Sequence, residues 1–230
     1  MTTMNRTVLW GHHLDEYLDM FHLPQAALTT SFLEFQSGAS AFQFELKEQA
    51  AHLVSYDDWF ALDKSALQRE VERSFETRLK QIQARPHAFD LTRYGDLEQL
   101  VAYRRQGMRQ FFQDYDQGHA EGRYLSAAQT ALPFEDFFFD YAVSSHYFFL
   151  ASAPQTPEYH IQTIAELARV AKEVRVFPLV DSQGVPSALL GPVILGLQQK
   201  NYGIEVRDVA YHLQPQGNAM LRVWAQQCSV

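Results

Sequence analysis

Short apolar runs largely alternate with helix-period patterns along this 230-residue chain, which ends on a pair of such runs with no helical pattern between them. Runs at 31–36, 52–56, 123–127, 137–144 and 174–179 have the length and composition of strands bounded by turn residues. Residues 204–209 and 220–224 then follow one another with only a loop between them, holding Pro215, Gly217 and Asn218. Strands separated by a helix run parallel, because the crossover returns the chain to the same end of the sheet. Two strands joined by a loop alone pair antiparallel. The order β-α-β-α-α-β-β-α-β-α-β-β therefore predicts an α/β fold. Its sheet is mostly parallel and seven-stranded, with an antiparallel terminal strand and helices on both faces.

The helices declare themselves by period. Residues 13–29 carry Leu14, Leu18, Phe21 and Leu28 on one side, and Pro24 is expected to break the span in two. Over 63–83, Leu67, Val71, Phe75, Leu79 and Ile82 recur at helical spacing, with Ser65 and Gln68 as a capping box. A second long helix is expected over 96–117, with Leu97, Val101, Met108, Phe111 and Tyr115 on its stripe and Gly118 as its stop. These two make an insertion at about 61–120, longer than one crossover helix requires. A short helix over 40–50 and helices over 157–171 and 188–200 complete the set. No repeat or linker divides the chain, so 1–230 is expected to be a single domain.

Composition narrows the function classes. Apolar residues make up 47% and charged residues 20%, with a formal net charge of −8. Residues 1–60 hold 2 basic and 8 acidic side chains, so the N-terminal quarter carries much of that charge. Arg104, Arg105 and Arg109 form too small a patch for nucleic acid. One cysteine, Cys228, excludes an intrachain disulfide and a multi-cysteine metal site, and suits a reducing compartment. No apolar run reaches 18 residues and 1–9 lack the core of a secretory signal, so the expectation is a cytoplasmic protein without a membrane partner.

The stretch 31–42 has the form of a ligand site. An apolar run ends in a polar turn with one glycine, Gly38, and a helical pattern follows. A strand, a tight turn and a helix N-terminus often hold a nucleotide-like ligand in α/β proteins. A competing pattern uses the same residues. Gly38-Ala39-Ser40-Ala41-Phe42 nearly fits the nucleophile elbow of α/β-hydrolases, with Asp181 and His212 in triad order, but Phe42 stands where a small residue is required.

The layout resembles the Rossmann-like class I S-adenosylmethionine-dependent methyltransferases, whose parallel sheet ends in an antiparallel seventh strand. Thr130-Ala131-Leu132-Pro133-Phe134-Glu135-Asp136, then Phe139-Asp140, is similar to that family's A-x-x-L-P-F-x-D-x-x-F-D passage into the fourth strand. Glu166, Arg169 and Val170 resemble the E-x-x-R-V of the helix before the fifth strand. The glycine-rich motif, D/E-x-G-x-G-x-G in the family, is degenerate: Glu34 keeps the acid and Gly38 one glycine, while Gln36 and Ser40 stand at the other two glycine positions. The resemblance implies S-adenosylmethionine as cofactor, held by Glu34, Gly38 and the ribose-facing Asp57 or Asp58. It places Ala128 and Gln129 where the family often has an Asp facing the adenine amine.

After the fourth strand, the same resemblance makes His146 or Tyr147 the candidate to take a proton from a substrate hydroxyl or amine. A packed histidine among Tyr147, Phe148 and Phe149 is the plainer reading. Arg104 lies on an apolar stripe, as a snorkelling side chain or an anchor for an anionic substrate. His12-His13 lacks metal-ligand partners at usable spacing and reads as a solvated pair. Two functions follow from the resemblance: methyl transfer to a small-molecule substrate, or a methyltransferase fold without catalysis that serves a protein partner. The first would place the insertion and the N-terminal helix over the site as a lid. Homo-oligomerisation is left open by the residues.

Overall fold

A computed structural model describes residues 10–36, 38–126, 131–150 and 154–226. Its seven strands are β1 (Ser31–Phe35), β2 (His52–Tyr56), β3 (Tyr124–Leu125), β4 (Phe139–Ser145), β5 (Ala171–Phe177), β6 (Tyr202–Asp208) and β7 (Ala219–Ala225). They form one sheet in the order β3-β2-β1-β4-β5-β7-β6. Strands β1 to β5 pair in parallel, and β7 inserts antiparallel between β5 and β6. The loop-joined pair is thus antiparallel, as its missing helix predicts.

Chain order reverses direction between β1 and β4, which makes that point the topological switch of the sheet. In open α/β sheets, ligands bind there, outside the carboxyl ends of the strands. The register aligns Glu34 of β1 with Ser55 of β2 and with Val143 of β4. That places the Glu34 carboxylate among the strand ends.

Helices cover both faces. On one lie α1 (Leu14–Met20), α2 (Phe42–Leu46), α3 (Lys64–Ala84) and α4 (Leu97–Ala120); on the other lie α5 (Pro157–Val170) and α6 (Leu190–Gln199). Alternation along each strand builds both layers at once. Phe32, Leu53 and Val143 enter the core under α1–α4, while Leu33, Val54 and Ala142 enter the core under α5 and α6. In α3, the expected stripe of Leu67, Val71, Phe75 and Ile82 is buried, each side chain worth about 1.5–3 kcal/mol.

Some local expectations change. Pro24 does separate α1 from a short 3₁₀ helix, Gln25–Thr29. Asp63, not Ser65, caps α3, accepting from the Ala66 N–H at 2.8 Å. Gly118 does not stop α4. It lies inside the helix, where an added Cβ would overlap the Tyr124 ring, and the chain turns at Gly122, with φ at +74°. The insertion helices need that close approach to seat β3.

An N-terminal strap crosses this layer. Gly11 N–H donates to Ala39 O at 2.9 Å and Ala41 N–H to His12 O at 2.8 Å, tying the strap to the β1–α2 turn. The strap passes α4 at a glycine pair. A Cβ on Gly107 would overlap the Gly11 carbonyl, and Gly11 itself has φ at +59°. Glycine at both positions lets two backbones touch.

Candidate active site at the switch point

Glu34, one residue before the end of β1, has 2% of its surface exposed. Its carboxylate accepts from Tyr17 Oη and Ser40 Oγ, each at 2.5 Å, and from Ser55 Oγ. Burial pushes its pKa up, and nearby Asp57 adds to that, against the three hydroxyls that stabilise the anion. Ser40, at a glycine position of the family motif, is thereby occupied in holding Glu34.

The turn beyond β1 is left-handed twice, with φ at +55° for Gln36 and +71° for Gly38. The first explains why glycine suits position 36, since a residue with a Cβ is strained there. Gln36 Nε2 donates to Asp58 Oδ1 at 3.0 Å. Asp57, 1% exposed, accepts from the Gly38 N–H and the Trp59 N–H, both at 2.9 Å. It therefore braces the turn and caps the 3₁₀ helix Asp58–Ala61. Asp58 is half-buried and stands one residue further out. The structure thus brings Glu34, Gly38, Asp57 and Asp58 together around one turn. Gln129 and Ala128 lie outside the described residues.

His146 and Tyr147 diverge. Tyr147 faces the α5 side, where its hydroxyl meets Tyr159 Oη at 2.6 Å. Phe148 and Phe149 are in that core too. His146 turns the other way, with φ at +57°, and its N–H donates to Phe177 O at 2.6 Å. Its ring stacks on His12. Burial holds both imidazoles well below their ordinary pKa, with Arg104 and Arg78 adding to the effect.

Two expectations about neighbouring residues are overturned. His12 and His13 are not solvated but 2% and 4% exposed. His13 Nδ1 meets Glu45 at 2.7 Å and Nε2 meets Tyr103 O at 2.9 Å. Burial lowers the His13 pKa, yet those two bonds outweigh it and the net shift is upward. Arg104 does not snorkel. It is fully buried and donates through both terminal nitrogens to Glu16, with further bonds to Tyr94 Oη at 2.9 Å and Tyr211 Oη at 3.0 Å. Burial raises the Glu16 carboxyl, but the Arg104 charge more than offsets this and holds it below the usual range.

The hydrolase pattern also dissolves. Ser40 bonds Glu34, Asp181 accepts from the N–H groups of Gln183 and Val185, and His212 meets Asp90 at 3.0 Å. Reading by period missed Glu16, Tyr17, Arg78 and Tyr211. Their contacts with the site span the insertion and the last two strands. The one local signal is the run Trp10-Gly11-His12-His13, with its glycine before two polar rings.

No family model matches the chain. It is 24% identical over 216 residues to an uncharacterised protein, MJ0045, of Methanocaldococcus jannaschii, covering 94% of this chain and 95% of that one. Among solved structures it is similar to the PH0226 protein of Pyrococcus horikoshii, with 13% identity, TM-score 0.47, and coverage of 93% and 91%. It is likewise similar to the N-methyltransferase NodS of Bradyrhizobium japonicum, with 13% identity, TM-score 0.47, and coverage of 93% and 96%. A TehB-like S-adenosylmethionine-dependent methyltransferase of Corynebacterium glutamicum gives 13% identity, TM-score 0.45, and coverage of 93% and 87%. The activities in those names belong to those proteins. Strand order and the antiparallel β7 between β5 and β6 give this chain the class I methyltransferase fold.

Proposed function

We propose that the chain binds S-adenosylmethionine at the β1–α2 turn and transfers its methyl group to a small molecule. The observation that carries this reading is the convergence of Glu34, the left-handed Gly38 and the Asp57–Asp58 pair beside the switch point. The donor set fits such a ligand in chemistry. Asp58 is a half-buried carboxylate, the group that accepts from ribose hydroxyls, while Asp57 is committed to holding the turn. When bound, the cofactor supplies an electrophilic methyl group. Glu34 and Asp57 fix the turn, and Gln36 releases Asp58 to accept from the ligand. The strap and α4 keep water from the strand ends. Isothermal titration with S-adenosylmethionine and S-adenosylhomocysteine tests the reading: saturable binding supports it, and no binding of either at millimolar concentration ends it.

One observation favours a second reading, a methyltransferase fold without catalysis. The Gln36 side chain already occupies Asp58, and a Cβ stands where the family has glycine. In that case the turn is a closed structural element and the chain serves a protein partner. Cofactor-dependent methylation of any substrate would remove this second reading.

A further inference from the structure

His12 and His146 stack with ring centroids 4.5 Å apart and planes 16° from parallel. Nε2 of His12 and Nδ1 of His146 are both buried, and neither meets a hydrogen-bond partner among the described residues. A buried polar atom left unpaired costs on the order of 1–3 kcal/mol. Two such atoms on stacked rings at the switch point therefore call for a function.

Arg78 has the same character. It is 7% exposed and forms no ion pair with a described residue. It lies over the Trp10 and Phe89 rings at 5.9 and 5.1 Å and donates to Gln81 at 3.2 Å, and its Nε has no partner among the described residues. Burial lowers its pKa to about 10, as for a cation without a counter-charge. The Trp10 ring that it covers stands two residues before His12 in the strap. Arg104, by contrast, is neutralised by Glu16.

The walls around these groups are aromatic. His146 meets Phe177 edge-on at 5.5 Å, His12 meets Tyr211 at 6.3 Å, and Phe177 meets Tyr211 at 5.7 Å. A neutral imidazole offers one lone pair and one N–H. A planar ligand with a hydroxyl and a negative charge matches all three features.

We propose that Arg78, His12 and His146 line an acceptor subsite for a small aromatic hydroxy acid, its carboxylate beside Arg78 and its hydroxyl on an open imidazole nitrogen. The inference rests on the methyltransferase reading for the fate of the ligand, and not for its binding. Cationic amines are disfavoured, because Arg78 repels them. Entry requires the strap to lift from the β1–α2 turn, to which two backbone hydrogen bonds hold it.

The test is ring-¹⁵N NMR on the full chain labelled at histidine, with 4-hydroxybenzoate, phenol and tyramine as probes. His12→Gln and His146→Gln assign the signals. The expected result is a saturable shift of both rings with 4-hydroxybenzoate and at least tenfold weaker binding of phenol. Tyramine should leave both rings unmoved, and Arg78→Gln should reduce 4-hydroxybenzoate to the affinity of phenol. The subsite is refuted if no probe moves either ring, if tyramine binds as well as 4-hydroxybenzoate, or if Arg78→Gln leaves affinity unchanged. Should a variant fail to fold, the wild-type shifts with the three probes still decide. Binding of 4-hydroxybenzoate by a protein that binds neither S-adenosylmethionine nor S-adenosylhomocysteine would end the methyltransferase reading and leave the subsite standing.

Discussion

Arg104 and Glu16 form an ion pair in which both side chains are fully buried, joining α4 to α1 beneath the strap. Two charges out of water are tolerable only while each serves the other. Tyr94 donates to Glu16, and Arg104 donates to both Tyr94 Oη and Tyr211 Oη. Replacing Glu16 by Gln strands the guanidinium and should cost about 3–5 kcal/mol. The double variant Glu16→Gln with Arg104→Met should cost less than the two single changes added together, because the residues are directly coupled. Urea unfolding of the three variants measures this; strict additivity would mean that the pair does not act as a unit.

The strap crossing gives a second prediction. Gly107→Ala should help an isolated helix by about 1 kcal/mol. Here the new Cβ overlaps the Gly11 carbonyl, so the expected net effect is destabilising, by about 1–3 kcal/mol. The melting temperature should fall and proteolysis near Trp10 should accelerate. A stabilised Gly107→Ala protein would show that the strap does not touch α4.

Acid sensitivity provides a third. Burial lowers the His12 pKa well below 6.5, so the unfolded chain takes up that proton first as pH falls. The contribution of His12 to stability is therefore present above the unfolded value and declines as pH drops below about 6.5, by on the order of 1 kcal/mol between pH 6.5 and 5.5. His13 works the other way. Its folded pKa is raised, so its contribution is full below the unfolded value and is lost as pH rises through the folded one. Denaturant titrations at pH 7.5 and 5.5 should show a smaller acid loss in His12→Phe than in wild type, and a larger one in His13→Gln. Equal losses in all three would contradict the placement of these rings.

Much of the sheet is legible from pattern alone because its signals are local. Phe32 and Leu33, or Leu53 and Val54, alternate faces within a single strand, and the loop around Pro215 and Gly217 sets β6 against β7 without reference to the rest of the chain. Cap and stop residues are less legible. Ser65 and Asp63 are both good N-caps, and Gly118 has a packing reason that depends on Tyr124. The site is the least legible part. Arg104 has the same helical period whether it snorkels or pairs with Glu16, 88 positions away in sequence. The burial of His12 depends on His146 and Tyr211, which no window of sequence contains.

Gln36 is the point where fold and activity pull apart. Gln36→Gly removes a side chain from a left-handed position, a relief of about 1–2 kcal/mol. It also gives the unfolded chain more freedom, which costs about 0.4–1 kcal/mol, and it deletes the bond to Asp58. Stability should therefore change by less than about 1 kcal/mol. Affinity for S-adenosylmethionine should rise, by about threefold or more, if the side chain obstructs Asp58. Unchanged affinity alongside unchanged stability would show that Gln36 does not guard the site.

The most direct measurement is calorimetric titration of the wild-type chain with S-adenosylhomocysteine and S-adenosylmethionine. Saturable one-to-one binding with Kd below about 1 mM is expected, together with a rise in melting temperature as ligand is added, because a ligand of the folded state must stabilise it. No heat and no thermal shift with either compound at millimolar concentration would contradict a cofactor site at Glu34, Gly38 and Asp58.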